Sequence, residues 1–148
     1  MVNTTFVGRE FSGTPPYLVS RAKIAEFTEA VGATSPLHTD PGAAQALGYH
    51  DVVAPPTFAV VIAQRAEAEY INHPEAGIDF SRVVHAEESF HLNRPLVAGD
   101  EISTLTRVKN IVGRANISMV TTEVELTGAG GENVGRVQST LAIRGEET

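Results

Sequence analysis

The chain has 148 residues, of which 42% are hydrophobic and 20% charged, and its formal net charge is −7. This composition is typical of a globular domain and excludes wholesale disorder, while an acidic chain without a basic stripe excludes a nucleic-acid partner. There is no cysteine, which excludes a disulfide framework, a thiolate nucleophile and a cysteine-ligated metal site.

The start of the chain and the length of its apolar runs predict the cellular location of the protein. The start, MVNTTFVGREF, lacks the basic and apolar regions of a secretory signal. No apolar run is long enough to cross a bilayer. We therefore expect a cytoplasmic protein with no membrane contact, folded as a single domain over residues 1–148 with a loose tail at 145–148.

Helical signals fill the first half of the chain. A short strand is predicted over Pro16–Ser20, after which Ser20 caps a helix over Arg21–Val31. Apolar residues recur in that helix at helical spacing, and Gly32 ends it. In TDPGAAQALG, Asp40 is the expected N-cap of a second, short helix that stops at Gly48.

A longer helix is predicted to begin at two prolines and to form the centre of the fold. Pro56 is the second of these prolines, and the helix runs to about Asn72. Its first half, Thr57–Ala63, is apolar on nearly all sides, which predicts burial on all sides. The second half is expected to emerge into solvent because it carries the charged residues Arg65, Glu67 and Glu69.

From about Arg82 onward the sequence alternates as strands do. Turns are expected in RPLVAGDE, NIVGRA and TGAGGEN. Helices followed by long antiparallel strands predict an α+β fold, with a curved sheet wrapped around the central helix. The residues predicted to share an inward face are Val84, Ala86, Phe90 and Leu92 in the first strand, Val120, Val124 and Leu126 in the second, and Val137, Leu141 and Ile143 in the third.

Two histidines are predicted on the opposite face of the first strand. His85 and His91 alternate with Glu87 and Ser89 between them. This pattern favours a solvated or partner-covered face over a metal site.

Three segments resemble one known family. FTEAVGATSPLHTDPGAAQALGY resembles the motif of MaoC-like (R)-specific enoyl-thioester hydratases and dehydratases, roughly G-D-x-N-P-[apolar]-H, and SFHLNRPLVAGDEI resembles that family's strand–turn segment. GYHDVVAPPTF and the long N-terminal lead resemble the FAS1-like dehydratase N-terminal domain, which includes small subunits of actinobacterial (3R)-hydroxyacyl-carrier-protein dehydratases. The resemblance covers about Thr5 to Arg144 and implies the hot-dog fold.

The resemblance also implies how a complete site works. In the family, the aspartate and histidine of the motif hold the water that adds to the double bond, and the asparagine orients it. A backbone N–H at the start of the central helix faces the thioester carbonyl. The family therefore uses acid–base chemistry, and neither a metal nor any other cofactor is implied.

Matched residue by residue, the motif is incomplete in this chain. His38 takes the histidine position, whereas Ala33 takes the aspartate position and Ser35 the asparagine position. Pro56 stands where the family donates a backbone N–H, which proline lacks. The substrate-binding positions implied by the resemblance are Ser35, Pro56, Thr57, Phe58 and Val61, with His38 as the one catalytic candidate.

Other carboxylates have simpler interpretations. Asp40 is explained by its N-cap position, and Asp51 is more readily a turn or capping residue than an acid in the cleft. Asp100, in AGDE, matches the family segment but needs only a turn explanation.

We weigh four functions. The incomplete motif favours the non-catalytic, acyl-chain-channel subunit of a (3R)-hydroxyacyl-thioester dehydratase. It would bind an acyl thioester of coenzyme A or of a carrier protein, as a homodimer or as a heterodimer with a catalytic hot-dog subunit. The alternatives are an active homodimeric hydratase that uses His38, and a non-enzymatic acyl-thioester-binding dimer. A thioesterase ranks last because VVAPPTFAV holds no carboxylate.

Overall fold

The computed structural model describes residues 1–145, which form an antiparallel sheet and a central helix. Within these residues no helix is long and apolar enough to cross a membrane. Four short 3-10 turns, at Thr4–Phe6, Pro36–His38, Pro56–Phe58 and Phe80–Arg82, connect the larger elements. Those elements are β1 (Glu10–Phe11), β2 (Tyr17–Leu18), α1 (Arg21–Val31), α2 (Pro41–Ala46), α3 (Ala59–Ile71), β3 (Val83–Leu92), β4 (Glu101–Arg114), β5 (Ile117–Thr127) and β6 (Asn133–Arg144).

Side-chain caps begin α1 and α2 where the sequence predicts them. The Ser20 hydroxyl accepts the backbone N–H of Lys23 at 3.1 Å, and α1 ends at Gly32 in the left-handed conformation, φ 69°. The Asp40 carboxylate accepts the backbone N–H of Gly42 at 2.9 Å at the start of α2. Both helices, and the capping role predicted for Asp40, are confirmed.

Helix α3 is the centre of the core. Small residues at Ala59, Ala63 and Ala66 are at most 1% exposed, so the helix backbone lies close to the sheet. Its second half does not emerge into solvent as a whole, because Glu67 is 0% exposed. The prediction of exposure is therefore wrong for Glu67, whose carboxyl faces the sheet, although Arg65 and Glu69 are exposed as expected.

The sheet has the strand order β1-β4-β5-β6-β3, and β2 pairs with the first two residues of β4. The predicted inward residues of β5 and β6 are all at most 4% exposed, which confirms both alternations. Strand β4 is longer than predicted: the expected turn NIVGRA is strand as far as Arg114, and the chain reverses at Ala115 and Asn116. Ala115 has the positive φ of 50° that this tight reversal requires.

Edge strand β3 departs from its predicted alternation. Its pairing with β6 shifts register between His85 and Glu87, where β3 carries a bulge. A bulge adds one residue, so the side chains on its two sides follow opposite alternations. Val84 is 65% exposed and Ala86 is also exposed, so their predicted place on the inward face is wrong. The residues opposite the inward side chains of β6 are Val83, His85, Glu88 and Phe90.

The same bulge separates the two histidines of β3. His85 turns toward α3, where its Nε2 lies 3.5 Å from Nε2 of Gln64. His91 lies opposite Arg136 on the other face. The prediction that both histidines share one face is therefore wrong for His85. Within residues 1–145 no group of three or more His, Cys, Asp or Glu side chains could hold a metal ion.

The predicted loose tail begins at a residue that is held in place. Gly145 donates its backbone N–H to the Asn116 carbonyl at 2.8 Å and accepts from Nη1 of Arg82 at 2.6 Å. Residues 146–148, the rest of that predicted tail, lie outside the described residues.

Gly135 joins β6 to the edge strand at a position that has no room for a side chain. Its φ is +148°, and a Cβ there would collide with the carbonyl oxygen of His91 and with Cα of Leu92. We expect Gly135→Ala to lower the free energy of unfolding by more than about 1 kcal/mol, because backbone atoms must shift. Urea denaturation measures this change.

Gly113 in β4 supplies the matched control, because a Cβ there meets no atom within 4 Å. Gly113→Ala should leave the urea midpoint within the range of ordinary surface substitutions. Equal losses in the two variants would contradict the close approach at Gly135.

Candidate functional site

The loop that follows α1 is shaped by its own backbone hydrogen bonds. After the left-handed Gly32, the backbone N–H of Ala33 donates to the Thr28 carbonyl at 3.0 Å. The Ser35 hydroxyl accepts the N–H of Leu37 at 3.3 Å and caps the 3-10 turn. Ser35, the position predicted to bind substrate, therefore has a structural role in the loop.

His38 is fixed against the segment that leads into α3. Its Nδ1 lies 2.6 Å from the Val53 carbonyl oxygen, and the Val53 N–H in turn donates to the Leu37 carbonyl at 2.8 Å. A carbonyl oxygen only accepts hydrogen bonds, so Nδ1 carries a proton, and in the neutral ring Nε2 has the lone pair. The half-buried imidazole is thus held in the tautomer that suits a base. Val53, the residue it contacts, stands three positions before Pro56 in the chain.

The nearby carboxylates are engaged in structural contacts. Asp51 forms a two-point ion pair with Arg21, at 2.8 Å and 2.9 Å, and accepts the N–H of Val52. The hydrogen bond from the Arg21 guanidinium holds the pKa of Asp51 below its ordinary value. Asp100 pairs with Arg94 at 2.8 Å and also accepts the N–H of Val97 within its turn. The turn role expected for Asp100 thus includes an ion pair that the sequence did not predict.

The start of the central helix combines exposed and buried positions. Pro56 and Thr57 are exposed, and Val61 is half-buried. Phe58 is 0% exposed, with its ring centroid 5.4 Å from that of Phe27 in an edge-on contact. Phe58 therefore packs in the core, whereas Pro56, Thr57 and Val61 lie where a ligand can reach the helix.

The assembled loop holds one proton-transfer group. His38 is placed as a base, and the position of the motif aspartate is the methyl side chain of Ala33. Hydration of an enoyl thioester needs both removal of a proton from water and delivery of a proton to carbon. His38 alone supplies the first of these, and Pro56 supplies no N–H to a thioester oxygen.

A second polar cluster, which the sequence did not predict, lies beneath the second half of α3. Oε1 of Glu67 accepts a hydrogen bond from the hydroxyl of Thr122, at 3.1 Å, and lies 2.7 Å from the hydroxyl of Ser139. Ser139 also lies 2.7 Å from Oε1 of Glu88. Since Thr122, Ser139 and Glu88 are directly opposite one another in register, they form a polar row across β5, β6 and β3.

This polar row requires a shared proton. The Ser139 hydroxyl has one hydrogen but touches two carboxyl groups, so one of the carboxyls must itself donate. Within residues 1–145 no Arg or Lys pairs with Glu67 or Glu88. Burial raises the pKa of Glu67 to about 7 and also raises the pKa of Glu88. Glu67, which is completely buried, is therefore the carboxyl that keeps the proton, and it donates this proton from Oε1 to Ser139 while Ser139 donates to Glu88.

Comparison with known proteins identifies the family. A family model described as the FAS1-like dehydratase domain region matches residues 5–137. The chain belongs to this family. A UPF0336 protein from Saccharopolyspora erythraea is 46% identical over 97% of this chain and 92% of its own length. The name UPF0336 does not describe an activity for that relative.

Two solved structures show the fold of this family. The HadBC (3R-hydroxyacyl-ACP dehydratase) complex from Mycobacterium tuberculosis contains a chain that is 26% identical, with a TM-score of 0.84 over 93% of this chain and 96% of that chain. A MaoC-like dehydratase is 32% identical with a TM-score of 0.85, and the match covers 95% of this chain but 42% of that longer chain. The hot-dog fold and the MaoC-like family are thereby confirmed.

The buried carboxyl of Glu67 should make stability depend on pH. The folded chain holds this proton up to a pKa of about 7, whereas the unfolded value is 4.5. The stabilisation is fully present below pH 4.5 and is lost as pH rises through 7, so the free energy of unfolding falls by on the order of 3 kcal/mol. Glu67→Gln, which cannot titrate, should lose this fall in urea denaturation followed from pH 4 to pH 8.

The control for this pH series is Glu69→Gln, on the exposed side of the same helix. It leaves Glu67 in place and should keep the wild-type fall. Parallel curves for the wild type and Glu67→Gln would mean that the Glu67 carboxyl ionises at the same pH in the folded and the unfolded chain, and would contradict the raised pKa.

Proposed function

We propose that this chain is the non-catalytic, acyl-chain-binding subunit of a (3R)-hydroxyacyl-thioester dehydratase, acting as one domain in the cytoplasm. The observation that carries the proposal is Ala33 at the position of the motif aspartate, in a loop that keeps its bend and its histidine. A catalytic loop without its acid supports a role in which another chain performs the proton transfers. The reaction class needs no metal or redox cofactor.

The edge strand supports a partner subunit. Strand β3 pairs only with β6 among the described strands, so ten residues leave one side of their backbone unpaired. A long free edge calls for pairing with another strand. HadBC, a related dehydratase, is a complex. We therefore propose a heterodimer with a hot-dog subunit that carries the complete motif.

The acyl chain is proposed to lie along one face of α3. Val61, Gln64 and Ala68 follow one another at helical spacing, so they share one face of α3, and Thr57 lies just before them in the 3-10 turn Pro56–Phe58. All four are exposed or half-buried, although α3 is otherwise a core helix. At 1.5 Å per residue this stripe is about 16 Å long. It begins beside Pro56, where the proposal places the thioester end of the substrate.

One observation favours a second candidate, an active homodimeric hydratase. The contact of His38 with Val53 places the lone pair of the neutral ring on Nε2, which suits a general base. This candidate requires a carboxylate from outside the described loop, because Asp40 and Asp51 are held in a cap and an ion pair.

A hydration assay separates these candidates. The purified chain is tested with trans-2-enoyl thioesters of short and long chain length, alone and after mixing with a hot-dog chain that carries the complete motif. We expect no turnover by the chain alone, because it supplies no acid. Turnover in the mixture should be unchanged by His38→Ala in this chain and abolished by removal of the partner's motif aspartate.

The alternative outcomes are equally specific. Turnover by the chain alone that His38→Ala abolishes would overturn the subunit role and favour the homodimeric hydratase. Binding of thioester without turnover in either sample would favour the third function, a non-enzymatic acyl-thioester-binding dimer.

Amide hydrogen exchange tests the edge pairing independently of turnover. The Asn93 N–H donates to the Val134 carbonyl, so by alternation the N–H groups of Glu88, Phe90 and Leu92 point to the free edge. These three amides should exchange at least tenfold more slowly once the partner is added. Asn93 is already bonded and serves as the internal control. Unchanged exchange at all three would place the partner elsewhere.

A further inference from the structure

A cleft of about 450 Å³ lies between the second half of α3 and edge strand β3. Its volume falls within the range of small-molecule sites. Its lining includes Gln64, Ala68 and Ile71 from the helix, His85 from the strand and Phe80 from the turn before it. The buried Glu67 belongs to the same lining.

The walls of the cleft are largely apolar. Ala68, Ile71 and Phe80 present carbon atoms, and Phe80 is 63% exposed although it is a large aromatic residue. Gln64 and His85 approach one another from the two sides. Such a surface suits an aliphatic ligand rather than a strongly charged one.

One oxygen of Glu67, a residue of the cleft lining, lacks a hydrogen-bonding partner within residues 1–145. Oε2 of Glu67 is completely buried and binds no other atom in residues 1–145, whereas Oε1 binds the two sheet hydroxyls. When either Glu67 or Glu88 donates its single proton to Ser139, Oε2 of Glu67 is left as an acceptor. A buried acceptor without a donor is costly, so this atom selects for a group that donates.

The cleft continues the stripe along α3. Gln64 and Ala68 belong both to the cleft and to the helix face that begins at Val61. An acyl chain that enters beside Pro56 and follows this face therefore reaches Glu67 with the part that lies farthest from the thioester. This step rests on the proposed function.

We propose that the cleft between α3 and β3 binds an aliphatic chain that carries one hydrogen-bond donor, and that Oε2 of Glu67 accepts from this donor. The chemistry fits a hydroxyl group on an acyl chain whose thioester lies beside Pro56. It also fits the amide N–H of a thioester arm if the ligand runs in the opposite direction along α3. Glu67 is thereby a specificity-determining residue, with no part in the proton transfers of dehydration.

Three small probes test the proposal by NMR titration of the isolated full chain. 1-Octanol donates a hydrogen bond through a hydroxyl, N-hexylacetamide donates through an amide, and 1-methoxyheptane has the same number of heavy atoms as octanol but donates none. We expect a donor-bearing probe to bind about tenfold more tightly than the ether. The shifted signals should include Ala68, Phe80 and His85. Tighter binding of octanol than of the acetamide identifies an acyl-chain hydroxyl as the hydrogen-bond donor of the natural ligand. Tighter binding of the acetamide identifies the amide N–H of the thioester arm as that donor.

Two variants attribute the preference to this cleft. Glu67→Leu removes the acceptor at similar volume, so the preference for a donor should fall to near unity while the affinity for the ether is kept. Ala68→Phe fills the cleft from a half-buried position, and both classes of probe should lose affinity. If Glu67→Leu does not fold, Ala68→Phe together with the comparison of donor and ether in the wild type still decides the question.

Equal affinities for the ether and the two donors in the wild type would overturn the proposal, as would an absence of binding or shifts confined to other surfaces. These titrations use no partner and measure no turnover. An inactive mixture in the hydration assay therefore leaves their outcome intact, and a failed titration leaves the subunit role intact.

Discussion

The close packing of α3 against the sheet is the constraint on which the other features depend. Alanines at the contact positions, Ala59, Ala63 and Ala66, allow the helix backbone to approach the strands. This approach lets the carboxyl of Glu67 reach the hydroxyls of β5 and β6. It also leaves the opposite face of the helix, from Val61 to Ala68, uncovered by the sheet. The core and the proposed ligand path are thus two faces of one helix.

The sequence predicted the structural features that depend on neighbouring residues alone. Caps at Ser20 and Asp40 place α1 and α2, and strict alternation places the inward faces of β5 and β6. The prediction failed where one extra residue or one tertiary contact decides the outcome. The bulge after His85 reverses the faces of the first part of β3, because a period of two has no tolerance for an insertion. Nothing local to SFHL or VVHAEE identifies that insertion.

Glu67 is the other instructive failure. A carboxyl between Arg65 and Glu69 has the pattern of a solvated helix face, and helical periodicity alone cannot indicate that it is buried. Its partners, Thr122 and Ser139, lie 55 and 72 residues away in the sequence. Their small hydroxyl side chains are consistent with an ordinary strand, so no local signal marks the polar row. The shared proton can be inferred only from the folded structure, in which β3, β5 and β6 pack with α3.

The candidate catalytic loop shows why its shape is separable from its chemistry. The bend is fixed by the left-handed Gly32, by the caps that Ser35 and Asp40 provide and by backbone contacts between Leu37 and Val53. None of these contacts involves the side chain of residue 33, so an alanine there leaves the loop geometry intact. His38 is held by the same framework through its Nδ1, and its hydrogen bond to Val53 ties the loop to the start of α3. A residue can therefore keep its place for structural reasons after the proton-transfer partner is gone, and the presence of His38 by itself is no measure of activity.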